Sequence, residues 1–331
     1  MKTFELHLPR TIDEALALLE RPGHAALAGG QDLLTELKEH IATPDALVDL
    51  SGIQGADAIE LRADGSLSIG AGVTLAELEK HAELARRWPV LTEAATSIAS
   101  AQIRSQATVG GNLCQRPRCW YYRNEALSCL KKGGTECLAY GGMNKYNAIL
   151  GGGPSYIVHP SDLAPALVAL DAEIEIASRE PRGARRRIAL ASFFTLPAEG
   201  DVLRENVLAP GELVVAVHVP AHAAGNWRST YLKFKERSSF DWALSAVALV
   251  ARIDGARIAE ARVVLGGVAP VPWRSKAAER VLAGRPIDDS AAREAGEAAL
   301  AGAEPLSGNA YKVPLTKGLI VKALRAIGGR S

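Results

Sequence analysis

Aromatic residues are scarce in this chain, and neither sign of charge prevails. Phe, Tyr and Trp make up 5% of the 331 residues, too few for a platform on which nucleic-acid bases stack. Lys and Arg number 38 against 37 Asp and Glu, a net charge of +1, so no global field attracts nucleic acid or an anionic membrane. No stretch approaches the ~18–20 apolar residues of a membrane span. The opening residues, Met1 to Arg10, read MKTFELHLPR, acidic and polar where a secretory signal is apolar. A cytoplasmic location is expected, or export of the folded chain attached to a partner. Gly-x-Ser-x-Gly, His-Glu-x-x-His and any Ser-His-Asp set are missing, which leaves hydrolase readings without support. Cysteine is confined to one stretch, Cys114, Cys119, Cys129 and Cys137. In a reducing compartment such crowding points to metal ligation before disulfides.

The rest is ordinary globular composition, 48% hydrophobic and 23% charged, and the length suits two or three domains. Thr11-Ile-Asp-Glu14 and Thr74-Leu-Ala-Glu77 are capping boxes that open helices, the second expected to run to about Ala85. Ala58 to Val73 alternates around Ala63-Asp64-Gly65, a hairpin signal. Leu91–Ser105 and Leu163–Leu170 read as helices, and Leu47–Leu50, Ala172–Ala177 and Glu212–Val219 as strands. Tyr231–Lys235, Ala243–Ile253 and Ala261–Leu265 read as further strands, with helices from about Ser275, Ser290 and Leu315 after them. A domain boundary is expected near 222–227. It separates residues 1–222, with subdomains of about 1–57 and 58–222 and a Cys-rich insert at about 114–154, from residues 227–331.

Two segments share one physical logic. In Ala28-Gly-Gly-Gln-Asp32 and Thr108-Val-Gly-Gly-Asn112, paired glycines permit φ > 0 and let successive N–H groups point into one concavity. Such a nest suits a diphosphate, and the adjoining polar residues suit its oxygens or a ribityl chain. Each pair read alone is also an ordinary tight turn. Neither segment is G-x-G-x-x-G or G-x4-G-K-[ST], so Rossmann and P-loop readings fail.

Ala28-Gly-Gly-Gln-Asp-Leu-Leu34, Ile69-Gly-Ala-Gly-Val-Thr-Leu75, Gln102-Ile-Arg-Ser-Gln-Ala-Thr-Val-Gly-Gly-Asn-Leu113 and Pro160-Ser-Asp-Leu-Ala-Pro165 come in the order of a known family. With Tyr231-Leu-Lys-Phe-Lys-Glu-Arg237, Asp241 and Gly266-Gly-Val-Ala-Pro270, the whole chain resembles the FAD-binding medium subunits of molybdenum hydroxylases (xanthine dehydrogenase, aldehyde oxidoreductase, carbon monoxide dehydrogenase). The resemblance implies an α+β chain. A two-subdomain FAD-binding fold of the vanillyl-alcohol-oxidase and molybdenum-hydroxylase type would precede a small α+β C-terminal domain. It implies that Ala28, Gly29, Gly30, Gln31, Asp32, Leu33 and Leu34, with Thr108, Gly110, Gly111 and Asn112, bind the FAD diphosphate and ribityl. Asp162 would hydrogen-bond the flavin side. Lys233 matches a position near the flavin, although a lone lysine on a strand is by default a solvated surface charge.

The cysteine spacing, C-x4-C-x9-C-x7-C, has neither the C-x2-C knuckles of structural zinc sites nor the C-x2-C-x2-C run of ferredoxins. Four buried apolar thiols are the plain alternative to metal. Cys114-Gln-Arg-Pro-Arg-Cys-Trp-Tyr-Tyr-Arg123, with Cys129-Leu-Lys-Lys-Gly-Gly and Cys137, resembles an insert of the 4-hydroxybenzoyl-CoA reductase and some aldehyde oxidoreductase flavin subunits, where it carries a [4Fe–4S] cluster. By that resemblance Cys119, Cys129 and Cys137 match three ligands, and the fourth falls on Ser155. Either Cys114 completes a four-thiolate site, or three thiolates are joined by Ser155, solvent or nothing. His159 is read as structural. Arg116, Arg118 and Arg123, beside Trp120, Tyr121 and Tyr122, are expected to face an anionic cluster or a partner subunit.

Together these features point to an electron-transfer flavoprotein subunit. A large molybdenum-cofactor subunit would perform the substrate chemistry, and a small [2Fe–2S] subunit would pass electrons to this FAD. An external acceptor would then be reduced. The alternatives are a non-enzymatic metal-binding scaffold and a self-sufficient flavin oxidoreductase, for which no catalytic acid or base stands out.

Overall fold

The computed structural model describes residues 1–179 and 183–329; the last two residues of the C-terminal unit expected at 227–331 lie outside it. Its strands form three sheets. The first is parallel and contains β1 (Glu5–His7), β2 (His24–Leu27) and β3 (Ala46–Asp49) in the order β1-β3-β2. Parallel neighbours need crossover connections, and the helices Ile12–Leu19 and Leu33–Lys38 supply them. The Thr11 capping box is formed: Thr11 Oγ1 accepts from the Glu14 N–H, and Glu14 Oε2 accepts from the Thr11 N–H, each at 3.2 Å.

The second sheet is antiparallel, with β4 (Ile59–Leu61), β5 (Leu67–Gly70), β6 (Glu173–Ala177), β7 (Arg185–Ala189) and β8 (Leu213–Val219) in the order β4-β5-β8-β6-β7. Its inner face packs with the helices Leu75–Lys80, Pro89–Ser97 and Leu163–Ala169 into one apolar core. Two expected helices are broken. The helix opened by Thr74 ends at Lys80. His81 takes an extended conformation, and its Nδ1 accepts the Leu84 N–H at 3.4 Å to start a second helix, Ala82–Arg87. The run Leu91–Ser105 is interrupted by Ala99, at φ +43°, between Pro89–Ser97 and the short helix Ala101–Arg104. Apolar periodicity continues across both breaks, so the sequence pattern does not register them.

The third sheet is a meander of β9 (Asn226–Phe234), β10 (Ser245–Asp254), β11 (Arg257–Gly266) and β12 (Trp273–Arg274). Along β10 alternate residues face opposite ways. Ala246, Ala248 and Val250 join the first core, whereas Val247, Leu249 and Ala251 pack against the C-terminal helices Lys276–Leu282, Asp289–Ala299 and Lys312–Ile327. A strand buried on both faces explains the unbroken apolar run, and each aliphatic side chain so buried contributes about 1.5–3 kcal/mol. Residues 115–153 hold neither strand nor α-helix, only a 3₁₀ turn at Leu130–Lys132. Among the described residues no helix is long and apolar enough to cross a membrane.

Candidate functional site

The two glycine segments meet. The first leaves β2, and the second runs antiparallel to the segment that leaves β5: the Val109 N–H donates to Val73 O at 2.9 Å and the Gly110 N–H to Ala71 O at 2.8 Å. Gly29 lies so close to the second segment that a Cβ there would stand 1.8 Å from the backbone O of Gln106. Gly30 has φ +70°, a conformation that a side chain disfavours. The second segment differs from the open loop expected of it. It is the first turn of a short helix, Val109–Cys114, with Thr108 Oγ1 accepting the Gly111 N–H at 3.1 Å, and neither of its glycines has positive φ.

Between the segments lies a cavity of about 1030 Å³. Ala28, Gly29, Gly30, Gln31, Asp32, Leu33, Thr108, Gly110, Gly111 and Asn112 all line it, whereas Leu34 lies off its wall and is partly exposed. Ile98 and Ala99 add to the wall, and Arg104 holds them in place. Its Nη1 donates to the Ile98 and Ala99 carbonyls at 2.8 and 3.2 Å, while Nε and Nη2 grip Glu79 at 2.8 and 3.1 Å. Sequence reasoning assigns Arg104 no role, although it stands inside the family-like run from Gln102 to Leu113.

Asp32 faces the cysteine insert. Its Oδ2 accepts the Arg116 N–H at 2.6 Å, and its Oδ1 receives Arg123 at 2.6 Å and Arg118 at 2.9 Å. One turn on, Glu36 accepts the Tyr122 hydroxyl at 2.6 Å; burial raises its pKa against that bond and the pull of Arg123. Arg116 and Lys131 pair with buried Glu205 at 2.6 and 2.8 Å. Arg116 and Arg118 also line the cavity.

A smaller pocket of about 220 Å³ adjoins the cavity, and Arg118 and Trp242 line both. Asp162 and His159 lie on its wall. Both Asp162 oxygens are engaged, Oδ1 by the Tyr231 hydroxyl at 2.6 Å and Oδ2 by Lys233 Nζ at 2.7 Å. Lys233 also donates to Ser97 O at 3.1 Å and is only 3% exposed in its side chain, so the default of a solvated surface charge fails. Asn112 Oδ1 accepts the Ser161 hydroxyl at 2.6 Å, which ties the second glycine segment to the Pro160-Ser-Asp motif. His159 is buried against Phe194, and burial pushes its pKa down to about 4.

The four cysteines are not gathered together. Cys114 ends the Val109–Cys114 helix, packs on the core and lines the large cavity; burial pushes its thiol up to about 12. Cys119 lies in the small pocket. Burial raises its pKa, the backbone N–H groups of Tyr121 and Tyr122 and the Asn147 amide work against this, and neighbouring Cys137 adds to the rise. Asn147 reaches Cys119 Sγ at 3.9 Å and the Tyr156 carbonyl at 2.9 Å, beside buried Ser155. Cys129 is buried. Among the described residues no three His, Cys, Asp or Glu side chains converge on a single metal ion.

The family model described as "FAD binding domain in molybdopterin dehydrogenase" matches residues 2–222, and that of the "CO dehydrogenase flavoprotein C-terminal domain" matches residues 229–327. The chain is 37% identical over 327 residues to the aldehyde oxidoreductase FAD-binding subunit PaoB of Escherichia coli, covering 98% of each chain. It is 31% identical to the carbon monoxide dehydrogenase medium chain of Hydrogenophaga pseudoflava over 335 residues, 99% of this chain and 98% of the other. A solved structure of carbon monoxide dehydrogenase from that organism superposes with a TM-score of 0.77 at 28% identity, covering 99% and 98% of the two chains.

Proposed function

Because the chain belongs to the FAD-binding medium-subunit family of the molybdenum hydroxylases, we propose that it holds FAD between its two glycine segments and serves as the electron outlet of a multi-subunit enzyme. The observation that carries this is the apposition of Gly29 on Gln106, which leaves a cavity walled by backbone where a diphosphate needs close approach. Residues 28–33 with Thr108, Gly110, Gly111 and Asn112 would hold the diphosphate and ribityl. Asp162, fixed by Tyr231 and Lys233, would stand at the flavin end. When bound, FAD accepts electrons and passes them to an acceptor. The chain's own part is to bind and orient the cofactor and to set the charge around it.

The partners are a large molybdopterin-binding subunit and a small [2Fe–2S] subunit. This is supported by the relatives' names, a "FAD-binding subunit" and a "medium chain", both of which imply further chains. By the resemblance of the insert, Cys119, Cys129 and Cys137 are the residues that would hold a [4Fe–4S] cluster, although among the described residues no three such ligands converge on one ion. At Cys119 burial favours the neutral thiol, and two backbone N–H groups and the Asn147 amide work against it. Cys114 belongs to the cavity wall and is left out of the ligand set.

Assay of the chain alone and with its partner subunits tests the assignment. Alone it reduces dyes at the expense of a reduced nucleotide at most, and it oxidises no aldehyde or N-heteroaromatic compound. Oxidation of such a substrate by the isolated chain would overturn the subunit reading.

A further inference from the structure

Of the cations that fasten the insert to the first glycine segment, Arg118 shares its carboxylate with a second guanidinium and stands where the two cavities meet. Arg116 and Lys131 share Glu205. Arg123 takes Asp32 Oδ1 at 2.6 Å and also donates to the Pro117 and Arg116 carbonyls. Arg118 must share that oxygen, at 2.9 Å, and its other side-chain bond, to Gln115, is long at 3.3 Å. One carboxylate cannot neutralise two guanidinium groups. Glu36 and Glu39 act on Arg118 only through space, and burial draws Glu36 toward its neutral form. The Nε of Arg118 is buried with no partner.

Its position adds to this. The Arg118 guanidinium lies 4.5 Å over the Trp242 ring, and the two residues form the wall common to the large cavity and the small pocket. A ligand that extends from the glycine segments toward Asp162 has to pass this wall. A flavin that takes up two electrons and one proton at neutral pH gains one negative charge, and a guanidinium keeps its charge throughout. A fixed cation on the cavity wall therefore discriminates between the two redox forms.

We propose that Arg118 contacts the bound flavin and holds its reduced form more tightly than its oxidised form, so that this residue raises the flavin's potential. The proposal rests on the FAD reading above. The test uses the full chain purified with its FAD, with midpoint potentials measured against reference dyes and folding monitored by circular dichroism. In R118Q the reduced form loses about tenfold in affinity relative to the oxidised form, which lowers the two-electron potential by about 30 mV. R118K restores most of that shift, because the charge returns without the fork. W242L removes the ring but keeps the charge, and its potential moves by less than half as much as that of R118Q. R118Q with FAD bound at the wild-type potential would overturn the proposal alone. So would a W242L shift as large as that of R118Q, since packing would then account for both. If R118Q sheds its FAD on purification, oxidised and dithionite-reduced FAD are titrated into the apo-variant instead: a loss of affinity about tenfold greater for the reduced form upholds the proposal, and an equal loss for both overturns it. A wild-type chain unable to bind FAD overturns the reading beneath it as well.

Discussion

Replacing Gly29 by Ala puts a methyl group where the second glycine segment already is. The added Cβ would stand 1.8 Å from Gln106 O, 2.6 Å from the Gln106 carbonyl carbon and 3.0 Å from Ala107 Cα, all of them backbone atoms. A side chain could rotate away, but here one of the two cavity walls must retreat by more than an ångström. Forcing one methyl into a filled site costs about 1–3 kcal/mol. If that strain falls on the FAD-bound form, affinity drops roughly 5- to 150-fold, at tenfold per 1.4 kcal/mol. Gly111 is the control. A Cβ there meets Thr108 Oγ1 at 3.1 Å and Ala28 Cβ at 4.0 Å, so a shift of a few tenths of an ångström relieves it. Titrating apo-protein with FAD while recording flavin fluorescence gives both dissociation constants, with far-UV circular dichroism as a check on folding. Gly29→Ala binds at least fivefold more weakly than wild type, whereas Gly111→Ala stays within about threefold. Equal affinities for Gly29→Ala and wild type would refute the claim that the two segments form one cradle.

Buried polar groups and thiols give three other outcomes. Asp162→Asn leaves Lys233 charged in a site 3% exposed, and removing one partner of a buried pair costs about 3–5 kcal/mol, read as a lower urea midpoint. His159 has a folded pKa of about 4 against the ordinary 6.5, so below pH 6.5 the unfolded chain takes up a proton that the folded chain refuses. Stability therefore falls by about 3 kcal/mol between pH 6.5 and 4, and denaturation of His159→Gln at pH 7 and pH 4 lacks that component. Iron analysis of the thiol variants separates the cysteines: Cys119→Ser loses its iron, while Cys114→Ser keeps it, and equal loss in both would return Cys114 to the ligand set.

Local signals were readable along the chain wherever the cause was local. Both capping boxes close as their spacing requires, and the β4–β5 hairpin forms about the Asp64-Gly65 turn. The glycine pairs were visible too, but the reasons for them were not. Gly29 is required by Gln106, 77 positions away in sequence, and the second pair lies in a helical turn, not an αL loop. Lys233 could not be placed without Asp162, and Asp32 could not be recognised as an anchor without three insert residues about 90 positions on. Strand β7, Arg185–Ala189, was missed because an exposed edge strand of three arginines carries no apolar alternation. Helix breaks at His81 and Ala99 depend on a side-chain cap and on the Arg104 guanidinium five residues past Ala99, which propensity does not report.

FAD binding is tested most directly by the cofactor content of the purified chain. Released by heat, separated by chromatography and quantified by absorbance, FAD is expected at one per chain, or at one after incubation of apo-protein with excess FAD. A well-folded chain that retains none after such incubation would contradict the central claim.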